Sequence, residues 1–130
     1  IDYVTIATTG NATDFGDLTY ARSQLASCSS PTRGLFGGGI VSIQTNIIDY
    51  VTIAAAGNAT DFGDLTYARY GVIGCSSTVR SLFGGGNAVS GFNVIDYVNL
   101  ATTGNATDFG DLTAIRFNLS AFSDCHGGLS

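Results

Sequence analysis

A ten-residue phrase, Gly10-Asn11-Ala12-Thr13-Asp14-Phe15-Gly16-Asp17-Leu18-Thr19, recurs unchanged at Gly57–Thr66 and Gly104–Thr113, 47 residues apart each time. The likeness extends outward. Ile1–Arg22 and Ile48–Arg69 differ at two positions, and Ile95–Arg116 departs from the first copy at four, among them Asn99 and Leu100. A fixed period of this length belongs to solenoids, propellers and arrays, whose units bury their apolar faces against one another. The chain therefore reads as one repeat domain over 1–130, with units 1–47, 48–94 and a truncated 95–130. It opens on the strand-forming half of a unit and closes before the glycine cluster of another, so half a unit is expected at each end. The absence of an initiating Met predicts a segment of a longer or processed chain.

Composition narrows the choice of element. There are 18 Gly and one Pro but no Lys, Glu, Met or Trp, which removes several strong helix formers. The remaining Thr, Val, Ile, Tyr and Phe suit a pleated, half-buried surface. An all-β fold follows, with enough apolar content (45%) for a core. All ten acidic residues are Asp, and nine of them lie three to a copy, so the net charge of −5 is repeat decoration. A nucleic-acid surface needs clustered Lys and Arg, and this chain has five such residues. No apolar run has the length of a membrane span. Three Cys without a Cys-x-x-Cys pair, and a single His (His126), supply neither a disulfide framework nor a zinc site. Cys28 and Cys75 share one repeat position, which puts them in neighbouring units facing the same way.

Within a unit, Ile1–Thr8 reads as a strand with bulk on both faces, as in a sheet sandwiched between two others. Gly10-Asn11 predicts a two-residue hairpin turn, repeated at Gly57-Asn58 and Gly104-Asn105. The returning strand runs Ala12–Leu18, with Phe15 as its apolar anchor and Gly16 as a bulge or point of close approach. A third strand over Gln24–Cys28, a polar turn at Ser29–Thr32 and a fourth strand at Gly34–Phe36 complete the unit. Four short strands per 47 residues is the anatomy of one propeller blade.

The strand that ends in glycines, Gly34-Leu35-Phe36-Gly37-Gly38-Gly39 and again Ser81-Leu82-Phe83-Gly84-Gly85-Gly86, resembles the diglycine strand of the kelch repeat. Ile48-Asp49-Tyr50-Val51 resembles the kelch strand that carries an acidic and aromatic pair. Phe62 stands where such repeats usually carry Trp, and Arg69 where they carry Arg. The wording of the long phrase is similar to kelch-like repeats of tailed-phage and environmental viral structural proteins. This resemblance implies four-stranded propeller blades, about three here and not a complete ring. It also implies a structural or recognition role in a tail- or fibre-associated position, on a virion or outside the cell. Partners would be further copies of the chain or the rest of a longer parent, with a host-surface glycan or protein as ligand. The alternatives are a lectin-like carbohydrate-binding propeller, and part of a propeller hydrolase whose catalytic residues lie elsewhere.

Two residue sets are singled out. The structural repeat motif comprises Asp14, Phe15, Gly16, Asp17 and Arg22, with Asp61, Phe62, Gly63, Asp64 and Arg69, and then Asp108, Phe109, Gly110, Asp111 and Arg116. A recurring Arg most simply pairs with a repeat Asp or with carbonyls between units. The turn acids lack the spacing of a calcium loop, so no metal or other cofactor is expected. Identical carboxylates in every copy point away from an asymmetric catalytic constellation, and a non-enzyme is expected. The second set lies where the copied framework gives way to variable loops, the usual place for binding: Ser29, Ser30, Thr32, Ser76, Ser77, Thr78 and Asp124.

Overall fold

The computed structural model describes residues 1–123, and no helix occurs among them. The strands are β1 (Asp2–Tyr3), β2 (Thr13–Asp14), β3 (Ala26–Ser29), β4 (Arg33–Gly37), β5 (Ile47–Thr52), β6 (Thr60–Asp64), β7 (Ile73–Ser76), β8 (Arg80–Gly84), β9 (Val94–Asn99) and β10 (Thr107–Asp111). They pair into a two-stranded sheet β1-β2 and two antiparallel four-stranded sheets, β3-β4-β5-β6 and β7-β8-β9-β10. Each four-stranded sheet draws its first two strands from the close of one repeat and its last two from the opening of the next. The two-stranded sheet is the opening pair alone. Asp124 and Cys125 lie outside the described residues.

Alternation along β5 sends consecutive side chains to opposite neighbours. Ile48, beside Leu35 and Ala26, faces the following sheet and joins Phe62, Leu65, Val72, Phe83, Val98 and Leu100 in a core shared by both four-stranded sheets. Asp49 faces the preceding sheet. Close approach needs Gly37, since a Cβ there would meet the Phe83 ring at 2.6 Å.

Between the four-stranded sheets and their predecessors runs one repeated joint. Arg22 pairs with Asp49 at 2.7 Å and Arg69 with Asp96 at 2.9 Å, with all four side chains fully buried. Thr19 donates to Asp49 through its amide and hydroxyl, and Thr66 does the same to Asp96. Arg22 also donates to the carbonyls of Gly38 and Phe36, and Arg69 to that of Phe83. Arg69 is less well served, for its Nε and Nη1 find no partner among the described residues. Burial lowers the Arg69 pKa, and the Asp96 carboxylate pulls it back up. The acids that the Arg residues pair with are thus those of the Ile-Asp-Tyr strand, not the turn acids Asp14, Asp17, Asp61 or Asp64.

The hairpin turn expected at Gly57-Asn58 is not formed. β5 ends at Thr52, a turn closes from the Ala55 amide to the Thr52 carbonyl, and residues 53–59 separate the strands. Gly57 and Ala59 instead donate to the carbonyls of Phe15 and Asp17 in the preceding sheet, and the Asn58 side chain accepts from the Asp17 amide. Gly104, Asn105 and Ala106 repeat this clasp on Phe62 and Asp64. The segment is pulled out of its own hairpin because its backbone serves the neighbouring unit. Gly16 and Gly63 are the receiving points. Both have positive φ (143° and 145°), and a Cβ on either would overlap the carbonyl of Gly57 or Gly104. At Gly63 the ladder also shifts register, leaving Phe62 as the bulged residue, and the same shift recurs at Phe109.

Identical phrases end in different surroundings. Phe62 is 2% exposed, Phe15 is half-buried and Phe109 is 53% exposed. Phe62 packs into the core shared by the two four-stranded sheets, whereas Phe109 is left bare because no described sheet follows to cover it. Strand bounds also move: the third strand begins at Ala26, not Gln24, whose φ is +56°.

Candidate recognition surface

The β3–β4 and β7–β8 turns emerge at the same end of the stacked sheets as the β5–β6 and β9–β10 loops. Each strand-to-strand turn is held by one serine. The Ser30 hydroxyl accepts from the amides of Thr32 and Arg33, and the Ser77 hydroxyl accepts from those of Val79 and Arg80. The turn is therefore fixed by a side-chain-to-backbone bond of the kind Ser favours. Ser29 and Ser76 latch the two sheets together. The Ser76 hydroxyl donates to the Ser29 carbonyl at 2.5 Å, and Ser123 repeats the bond on Ser76.

This leaves an open groove of about 440 Å³ between neighbouring turns, bordered by Ser30, Pro31 and Thr32 on one side and Thr78 and Val79 on the other. Asn99, Leu100 and Ala101 form its floor. No ionisable side chain lines it. Arg33, beside Thr32 in sequence, is turned inward, donating to the Leu100 carbonyl at 2.7 Å with its guanidinium 4.8 Å from the Tyr50 ring centre. What the groove offers is two hydroxyls on exposed residues, that of Thr32, which lies 3.3 Å from the Ser30 hydroxyl, and that of Thr78, on apolar walls. A neutral ligand with hydroxyl or amide groups is the chemistry this suits.

Of the sequence-selected loop residues, the structure brings Ser30, Thr32 and Thr78 to one groove. Ser29, Ser76 and Ser77 are engaged in latch and turn, and Asp124 lies outside the described residues. The floor residues Asn99 and Leu100 were visible in sequence only as departures from the copied phrase. The Asn99 side chain accepts from the Ala101 amide at 3.0 Å.

None of the motif residues lines the groove: Arg22 and Arg69 lie in the joints between sheets, while Phe109, Asp111 and Arg116 are exposed. No group of three or more His, Cys, Asp or Glu comes together among the described residues in a way that would hold a metal ion. Cys28 and Cys75 are both free thiols, and burial pushes Cys28 up to about 12, so it is protonated at neutral pH. Among the described residues no helix is long and apolar enough to cross a membrane. Against known proteins, the chain matches no family model and no curated sequence.

Proposed function

We propose that the chain is a non-enzymatic structural and recognition module, in which stacked sheets, read as kelch-like blades of a β-propeller, carry variable turns that meet a ligand. The observation that carries this reading is the division of labour between residues. The joint residues Thr19, Arg22 and Asp49 recur as Thr66, Arg69 and Asp96 with the same Thr–Asp and Arg–Asp pairings, while the turns at the groove differ from unit to unit. A framework copied for packing beside loops that are not copied is what a display scaffold requires. The setting on a phage or virus particle, tail- or fibre-associated, is supported by the resemblance of the repeat wording.

The neutral groove favours a lectin-like version of the same reading, with a glycan as ligand. Screening the purified chain on a glycan array and against host-surface protein extracts tests it. Binding that is lost in a Thr32→Arg, Thr78→Arg variant of unchanged melting temperature supports the groove. Binding that survives this variant moves the ligand elsewhere.

A further inference from the structure

The two end surfaces of the chain carry the two halves of a joint that the chain already makes twice within itself. On the side facing the following unit, each joint presents an Arg, a Thr and the carbonyl-bearing backbone around a positive-φ glycine: Arg22, Thr19 and Gly16, then Arg69, Thr66 and Gly63. On the side facing the preceding unit it presents an Asp and a Gly-Asn-Ala clasp: Asp49 with Gly57-Asn58-Ala59, then Asp96 with Gly104-Asn105-Ala106. The last sheet repeats the first half in Arg116, Thr113 and Gly110, whose φ is +142° and beside which a Cβ would meet nothing within 4 Å. The β1-β2 sheet repeats the second half in Asp2 and Gly10-Asn11-Ala12. Asp2 and Arg116 are exposed, and neither forms an ion pair among the described residues.

The apolar exposure follows the same division. Leu100 is 5% exposed in the joint it fills, but Ile6, its equivalent on the open face, is 97% exposed. Val98 is 3% exposed and its equivalent Val4 is 55%. On the opposite end surface Phe109 lies bare where Phe62 is covered. Beside it, a hollow of about 290 Å³ is lined by Cys75, Arg80, Leu82 and Phe122. Arg80 sits 4.9 Å from the Tyr97 ring centre, as Arg33 sits over Tyr50, yet among the described residues only Arg33 has its carbonyl, that of Leu100.

We propose that a second copy of this chain docks its β1-β2 sheet onto the β7–β10 sheet of the first, reproducing the internal joint between molecules. Arg116 and Thr113 then take Asp2 of the second copy, and Gly110 receives its Gly10 carbonyl. The carbonyls of Phe109 and Asp111 accept from its Gly10 and Ala12 amides, and Arg80 reaches the carbonyl of its Ile6. The occupant is specified by what the internal joints already use. The acid, the clasp and the two apolar side chains that the open surface needs are all present, in the required order, on the opposite end of the same molecule. Such an interface is head-to-tail, so it produces closed rings where the rotation closes and open stacks where it does not. The inference rests on the stacked-module reading above, but it does not depend on any ligand or on the viral setting.

The test is the solution mass of the purified chain across a concentration series, with circular dichroism on the same samples to report the folded sheets. The wild-type chain is expected at multiples of 13.3 kDa. Asp2→Ala and Arg116→Ala alter exposed residues and should leave melting of the single chain unchanged. Each should weaken association about a hundredfold or more, as truncating one partner of a buried charge pair does at interfaces. An equimolar mixture of the two variants should give a heterodimer and nothing larger, because the Arg116 end of one still meets the Asp2 end of the other. A wild-type chain that stays at 13.3 kDa with its sheets intact overturns this inference while leaving the module reading standing. Variants that assemble like wild type, or a mixture that fails to associate, also overturn it. Loss of the sheet signal itself would instead refute the module reading.

Discussion

Asp96 is the residue whose removal says most about the joints. Its carboxylate accepts from the Thr66 amide at 3.0 Å, the Thr66 hydroxyl at 2.6 Å and Arg69 Nη2 at 2.9 Å, and neither charged side chain reaches solvent. Replacing it by Asn keeps the shape but leaves the Arg69 guanidinium buried without a counter-charge. Breaking a buried pair from one side costs about 3–5 kcal/mol, a large part of the roughly 5–15 kcal/mol that holds a domain folded. With a urea slope of about 2 kcal/mol/M, the midpoint should fall by about 2 M. Asp2→Asn is the internal control, since the same residue in the same phrase is exposed there and has no Arg beside it among the described residues. Its midpoint should not move under conditions where the chain is a single species. Arg69→Met combined with Asp96→Leu should recover most of the loss, because apolar side chains can replace a buried pair. Urea unfolding followed by circular dichroism reads all three variants. An Asp96→Asn shift below about 0.5 M, or an equal shift for Asp2→Asn, would refute the reasoning.

Three further outcomes are expected. Phe62→Ala should destabilise by about 3–5 kcal/mol as a buried ring is lost, whereas Phe109→Ala should stay below about 1 kcal/mol in the single chain, and equal losses would place both rings in one environment. Cys28, raised by burial from 9.0 to about 12, holds its proton in the folded state where an unfolded chain would release it. Its contribution is thus fully present below pH 9 and is lost as the pH climbs toward 12. Alkylation in neutral buffer should accordingly be slow until the chain is unfolded, and fast labelling of Cys28 in the folded chain contradicts this. Excess chelator should leave the melting temperature unchanged, and a fall of several degrees would make the turn acids metal ligands.

The sequence made the class of fold legible because period, strand composition and glycine-rich turns all belong to a single unit. What lay between units was harder to read. Arg22 was recognisably a paired residue, but its partner Asp49 is 27 positions ahead and in a different sheet, and local acids at Asp14 and Asp17 competed for the role. Gly57-Asn58 carries a tight-turn signal, yet the same small, permissive residues suit a backbone pressed against a neighbour, and that contact prevailed. Phe62 and Phe109 have identical flanks, so no reading of one unit could separate a covered ring from a bare one. In the groove, the turn hydroxyls were found from the variability of the loops. Asn99 and Leu100 were missed as floor residues because they belong to the strand-forming phrase.

The joints are tested most directly by amide hydrogen exchange at the Gly-Asn-Ala clasps. The three clasps have the same sequence, Gly10-Asn11-Ala12, Gly57-Asn58-Ala59 and Gly104-Asn105-Ala106, so their intrinsic exchange rates are closely matched. Gly57, Ala59, Gly104 and Ala106 donate across a joint at 2.7–2.8 Å. Gly10 and Ala12 have no acceptor within the chain among the described residues. In dilute solution strong protection of the second and third clasps and near-intrinsic exchange at the first are expected, with Gly10 becoming protected as the chain is concentrated. Equal exchange at all three clasps, fast or slow, would contradict it.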